Sequence, residues 1–286
     1  MRSDLLAIFA VILIIAVFQL PAPDSISKSN VLAQVVESES KNPPPEIEAK
    51  SAYAENFATG EILYEKNGSY PLPLASLTKI VSALVILDLA NLNETAITLS
   101  GEHFLVRDLL AMVMVESSNG AMATLLRHAA GKNGQNIDSA EEWFLDLISK
   151  KAEMMESGGM IFGNATGLDL DENSASSLGS ARGILKIAKN SLDSPLWQLG
   201  AIHEVVSHEG KRYELKATNL LEDKIPGLIG AKTGFTNLAG GNLLVMFEYP
   251  ALSENIIGIV VLGSSETGRF EDVKKIYEWI RALRSF

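Results

Sequence analysis

The chain has 286 residues, with 24 lysines and arginines against 35 aspartates and glutamates, a formal net charge of −11, and no cysteine. An apolar fraction of 47% argues against disorder throughout. The acidic balance argues against nucleic acid as a partner, because phosphate binding needs clustered positive charge. The lack of cysteine removes disulfides, a thiolate nucleophile and any cysteine-built zinc site.

Residues 5–18 are an unbroken apolar run behind Arg2. That length fits the core of a secretory signal, about 7–15 residues, and is short for a membrane span of about 20. Residues 1–20 are therefore expected to be a signal peptide or an N-terminal membrane anchor, with the remainder facing outward. Residues 21–50, rich in Pro, Ser, Glu and Lys and containing Pro43-Pro44-Pro45, read as a flexible tether. The folded part is then expected over residues 51–286.

Within it, residues 53–57 and 61–65 flank Ala58-Thr59-Gly60, a strand–turn–strand signal. Residues 76–90 are apolar enough for a helix buried over most of its surface. Residues 106–116 and 121–130 read as helices broken at Ser117-Ser118-Asn119-Gly120, with Gly131 suited to a C-cap. Further helices are predicted over 141–156 and 180–190. From His203 the period shifts towards two: residues 204–207 and 213–217 can pair around Gly210, and 227–234, 242–248 and 256–262 are strand-like. An amphipathic helix over 270–283 closes the pattern. Strands at both ends with helices between them predict an α/β (α+β) fold. An antiparallel sheet assembled from the two ends would be flanked by helices, with an all-helical subdomain inserted over residues 92–200 and a cleft between the parts.

Three short motifs carry the chemistry. In Ser76-Leu77-Thr78-Lys79 a helix places the lysine three residues on, sharing the serine's face. A serine hydroxyl is a poor nucleophile until a base takes its proton, and an amine can do so if held neutral. A free lysine titrates near 10.4, so the site must lower that value by desolvation or a neighbouring positive charge. The apolar segment 80–87 offers the first and a second lysine the other. Ser117-Ser118-Asn119 supplies a hydroxyl and an amide to relay a proton and hold the lysine and a peptide substrate. Lys232-Thr233-Gly234-Phe235-Thr236 reads as a strand end facing the nucleophile. There Lys232 and Thr233 can bind a carboxylate, Gly234 admits substrate backbone, and the Phe235 N–H can join the Ser76 N–H as an oxyanion hole. Ser-x-x-Lys and Ser-x-Asn each recur elsewhere, but Lys-Thr-Gly occurs once, and the three in this order form the signature of penicillin-binding proteins and serine β-lactamases.

On these motifs the chain resembles the low-molecular-mass penicillin-binding proteins of the D-alanyl-D-alanine carboxypeptidase type. The resemblance runs from Tyr53 to Trp279 and includes residues 58–67, 73–79, Gly167-Leu168-Asp169, Ser180-Ala181-Arg182, 231–236 and 268–275. It implies a β-lactamase/penicillin-binding-protein-like fold. It also implies acylation of Ser76 by a peptidoglycan stem peptide ending in D-Ala-D-Ala, release of the last D-Ala, and hydrolysis of the acyl-enzyme. Lys79 would accept the proton, Ser117 and Asn119 would be its partners, and Lys232 would receive the substrate carboxylate. The implied partners are the stem peptide, β-lactams as covalent inhibitors, and the membrane through the N-terminal segment. The implied place is the extracytoplasmic face of the bacterial cell envelope. No cofactor or metal is expected.

Two departures from the family pattern matter. Ser118 stands where these carboxypeptidases usually have Gly. Phe235 replaces a His common in one carboxypeptidase branch and is closer to relatives that cut D-Ala cross-links, so an endopeptidase of the same family is the alternative. A β-lactamase is disfavoured, because no Glu-x-x-Leu-Asn stretch lies between Asn119 and Lys232 to drive deacylation. A non-catalytic wall-binding homologue fits poorly with three intact motifs. A capping serine and a solvated lysine would explain Ser76 and Lys79 alone, but not all three motifs together. Gly167-Leu168-Asp169 and Ser180-Ala181-Arg182 read as a turn and a capped helix start. His203 and His208 lack zinc-site spacing, since five residues along a strand put two rings on opposite faces.

Overall fold

The computed structural model describes residues 42–251, 253 and 255–283. The expected signal or anchor over residues 1–20, and the tether as far as residue 41, lie outside the described residues. Among the described residues no helix is long and apolar enough to cross a membrane. The folded unit begins at Pro44, a little before the expected residue 51. Ile47 and Ala49 are buried there. The N–H groups of Glu48 and Ala49 donate to the Asp272 carboxylate, and Lys66 donates to the Ile47 carbonyl. These bonds satisfy the backbone of a stretch whose polar composition suggests a linker.

In chain order come β1 (Ser51–Asn56), β2 (Ile62–Lys66), β3 (Leu72–Pro73), a tight helical turn Ala75–Leu77, α1 (Thr78–Leu89), β4 (Thr95–Ile97) and β5 (His103–Leu105). Then follow α2 (Val106–Val115), α3 (Asn119–Lys132), α4 (Ala140–Met154), β6 (Ile161–Phe162), β7 (Ser177–Gly179), α5 (Ala181–Asn190) and α6 (Leu196–Leu199). After them come β8 (Glu204–Val206), β9 (Arg212–Glu214), β10 (Leu228–Thr236), β11 (Gly240–Glu248), β12 (Ile256–Ser264) and α7 (Gly268–Leu283).

The main sheet is antiparallel in the order β10-β11-β12-β1-β2, so the two ends of the folded unit meet where β1 pairs with β12. Both faces are covered, and for that reason β11 and β12 read as near-continuous apolar runs. On one face Leu244, Met246, Val260 and Leu262 join the helices of the insert. On the other, Leu243, Val245, Ile257 and Ile259 meet Phe270, Val273 and Ile276 of α7. Helix α1 is buried from Thr78 to Ile86, as its lack of a polar face predicts.

The insert is mostly helical rather than all-helical. It also carries the β4–β5 hairpin and contributes β6 and β7 to a small sheet ordered β3-β7-β6. Strands of two or three residues hold too little of a period to show in sequence. Helix α3 runs through Gly131 and caps at Asn133. The left-handed residue that ends it is Gly134, at φ +67°, and Asn133 Nδ2 donates to the Ala129 carbonyl.

Candidate active site

Ser76 lies in the tight turn that leads into α1. Its predecessor Ala75 is held at φ +47°, a left-handed conformation that costs an L side chain about 1–2 kcal/mol. Three neighbours hold the turn in place. Asn242 of β11 donates from Nδ2 to the carbonyls of Pro73 and Leu74, at 2.9 and 3.0 Å, while its Oδ1 accepts from the Gly263 N–H. Gly167, at φ +79°, packs so closely that a Cβ there would stand 1.8 Å from the Ala75 carbonyl oxygen. Gly234 approaches from β10, where a Cβ would be 3.1 Å from the Ser76 nitrogen.

Lys79 Nζ lies 2.8 Å from Ser76 Oγ and 2.8 Å from the Thr166 carbonyl oxygen. Its side chain is fully buried. Burial penalises the ammonium and lowers the pKa from 10.5 to about 7. A neutral amine here donates one N–H to Thr166 and turns its lone pair to the Ser76 hydroxyl. Asn164 shapes the loop that presents Thr166: its Oδ1 accepts from the N–H groups of Thr166 and Gly167 and from the Thr166 hydroxyl.

Residues 230, 232 and 234 alternate onto one side of β10. Gly230 meets the Trp197 ring and Gly234 the nucleophile turn. Lys232, between them, sits in mid-strand rather than at a strand end, because β10 continues to Thr236. Its Nζ donates to Ser117 Oγ at 2.8 Å and to the Thr233 carbonyl at 2.9 Å. Burial, then the Lys79 charge, then the Arg269 guanidinium hold the Lys232 pKa well below the lysine range. The expected influence of a second lysine is thus felt at Lys232, while desolvation alone accounts for Lys79.

Ser117 follows α2 in a left-handed conformation, φ +59°, and this turn brings its hydroxyl to Lys232. The cap of α3 is Ser118, whose Oγ accepts from the Ala121 N–H. Thr233 Oγ1 lies 2.6 Å from Thr218 Oγ1, which also bonds the Val115 carbonyl, so Thr218 ties β10 to the end of α2.

Most of the expected cluster therefore converges, with two changes. Ser117 bonds Lys232 and not Lys79. Asn119 is the exposed first residue of α3, and its side chain makes no hydrogen bond among the described residues. Phe235 is 42% exposed. Thr236 donates to Asp169 Oδ1 at 3.0 Å, so the Gly167-Leu168-Asp169 turn braces both the nucleophile and β10. His203 and His208 do not converge, since His208 stacks on His103 and His203 pairs with Glu222.

Asn164, Thr166, Thr218, Asn242 and Arg269 were not found by sequence reasoning. Asn164 had a usable signal, an asparagine placed to form a turn ahead of Thr-Gly. The others act across long sequence separations and leave no local pattern.

A family model described as D-alanyl-D-alanine carboxypeptidase matches residues 37–101 and 90–265. A D-alanyl-D-alanine endopeptidase of Pseudomonas aeruginosa is 26% identical over 272 residues, spanning 84% of this chain and 82% of its own. The D-alanyl-D-alanine carboxypeptidase DacF of Bacillus subtilis is 28% identical over 212 residues, spanning 67% of this chain and 52% of its own. A penicillin-binding protein from Listeria monocytogenes, solved in its cefotaxime-bound form, superposes with a TM-score of 0.69 at 25% identity, covering 83% of this chain and 99% of that one. A Streptomyces DD-transpeptidase mutant shares the fold, with a TM-score of 0.73 at 23% identity over 83% of this chain and 99% of that one. With its motifs gathered round the buried amines of Lys79 and Lys232 and a family model matching most of its length, the chain belongs to the D-alanyl-D-alanine carboxypeptidase family of low-molecular-mass penicillin-binding proteins.

Proposed function

We propose that this enzyme is a serine-type carboxypeptidase that removes the terminal D-alanine of peptidoglycan stem peptides through an acyl-enzyme on Ser76. The observation that carries the reading is the buried Lys79 amine, with a pKa near 7, 2.8 Å from the Ser76 hydroxyl. A base that titrates close to the working pH gives the best compromise between being deprotonated and being basic.

The residues then act in sequence. Neutral Lys79 takes the Ser76 proton as Oγ bonds to the carbonyl carbon of the penultimate D-Ala. The carbonyl electron pair moves to oxygen, facing the N–H groups of Ser76 and Phe235. Collapse breaks the peptide bond, and the leaving amine takes the proton from Lys79, while Ser117 bonds Lys232. Water then attacks the ester while Lys79 accepts its proton, and Ser76 leaves with that proton restored. Lys232, Thr233 and Thr236 line the side where the substrate's C-terminal carboxylate would lie. An anion there favours the charged form of Lys232, and that charge keeps Lys79 neutral, since amines so close do not readily share two protons.

A fluorescent penicillin is expected to label the wild-type protein and not Ser76→Ala; an unlabelled wild type would overturn the reading. Exposed Phe235 and the relative named as an endopeptidase favour a second substrate, the D-Ala cross-link. Incubation with pentapeptide and with cross-linked dimer, followed by mass analysis of the products, separates the two. The wall peptide lies outside the cytoplasm, which places the enzyme there. Residues 1–20 are proposed to deliver or anchor it, and fractionation of cells expressing the chain with and without them is the test.

A further inference from the structure

We propose that Arg269 is a positioning residue for acyl transfer: its guanidinium fixes the Gly234–Phe235 peptide group so that the Phe235 N–H faces the oxyanion. This rests on the reading that the N–H groups of Phe235 and Ser76 form the oxyanion hole.

Arg269 is the second residue of α7 and is 7% exposed. Its Nη1 donates to the Gly234 carbonyl oxygen at 2.7 Å. The only cis peptide bond among the described residues is Tyr249-Pro250, so the Gly234–Phe235 unit is trans. In a planar trans peptide the C=O and N–H point in opposite directions, and a bond to one end therefore sets the other. The arginine reaches the strand over Gly241, which pairs with Phe235 across β10 and β11. A Cβ on Gly241 would lie 3.2 Å from Arg269 Cδ. The guanidinium thus arrives from the β11 side, and the Phe235 N–H is left on the free edge of β10. A charged donor on the carbonyl also polarises the whole peptide group and makes its N–H a stronger donor.

The arrangement is poor for stability, which points to function. The buried Nε of Arg269 has no hydrogen-bond partner. Its charge also opposes that of Lys232, and its burial is offset in part by Glu266 and by the Phe270 ring, whose centroid is 4.8 Å from the guanidinium carbon. A buried guanidinium with an unbonded Nε, close to a lysine, costs folding energy.

The direct rival is that Arg269 binds the substrate's carboxylate. Arg269→Gln and Arg269→Lys separate the two when acylation is followed with two substrates. One is an N-acyl-D-alanyl-D-lactate, which carries a carboxylate; the other is an N-acyl-D-alanine thioester with a neutral thiol leaving group. The proposal expects Arg269→Gln to slow acylation about 10- to 100-fold with both substrates, with KM little changed. Arg269→Lys should recover part of the rate. The infrared carbonyl stretch of the penicilloyl ester on Ser76 should move to higher wavenumber in Arg269→Gln, because the carbonyl loses polarisation. A loss confined to the carboxylate substrate, or an unshifted ester band, would overturn the proposal. If Arg269→Gln fails to fold, the same readings on Arg269→Lys decide. Absence of any ester band in the wild type would instead sink the acyl-enzyme reading itself.

Discussion

Lys79 carries two opposed demands. Acylation needs it neutral, so the acylation rate should climb with pH through about 7 and then level off. A stopped-flow pH profile with a chromogenic β-lactam measures this, and a flat profile between pH 6 and pH 8, roughly one unit either side of that pKa, would refute it. Stability has the same sign. Unfolded, Lys79 keeps its proton to about pH 10.4; folded, it gives the proton up near 7. Between those values the unfolded chain binds one more proton, so stability should rise with pH. Lys79→Met should therefore be more stable than wild type at neutral pH, by about 1–3 kcal/mol, while losing about 10²–10⁴-fold in acylation. Chemical denaturation beside penicillin labelling tests both halves. At this scale the sequence was informative: order and spacing alone named Ser76, Lys79, Ser117 and Lys232. The Ser76–Lys79 contact was legible in the spacing; the partner of Ser117 was not, because Ser117 turns to Lys232 through a left-handed conformation that no local signal announces.

The nucleophile turn is shaped by the elements around it. Gly167 and Gly159 have nearly the same backbone angle, φ +79° and +80°, but only Gly167 has a neighbour in the way. Gly159→Ala should cost only the conformational strain, about 1–2 kcal/mol. Gly167→Ala must also displace the Ala75 carbonyl, and should cost more than about 4 kcal/mol or leave no soluble protein. Thermal melts of the pair separate conformation from contact. Asn242→Ala leaves two carbonyls and the Gly263 N–H without their partner, with an expected loss of about 2–3 kcal/mol. Acylation should fall further than the melting temperature alone would imply, since the Ser76 turn loosens. The long helices and the three C-terminal strands were readable from their periods to within a few residues. The short strands β3 to β7 were not, because two or three residues hold too little of a period, and the Asn164 turn was passed over although its Asn-x-Thr-Gly pattern is local.

For the whole molecule, strands at both ends with helices between them implied the sheet, and β1 beside β12 bears that out. The edge position of β10, and the covering of the second face by α7, needed the three-dimensional answer. Because α7 buries Phe270, Val273 and Ile276 against that face, a chain ending at Ser264 should not fold. Circular dichroism and penicillin labelling of that truncation would show a native spectrum and a labelled band if this is wrong.

The pairing of β1 with β12 also sets when the enzyme can first react. A ribosome that has just finished α1 has already made Ser76 and Lys79, but the strand bearing Lys232 and the helix bearing Arg269 are still to be translated. The amine cannot be dried out, nor the oxyanion cradle closed, until those late pieces dock. A copy still lacking β10 and α7 is thus expected to be chemically inert, and reactivity begins once those elements have docked.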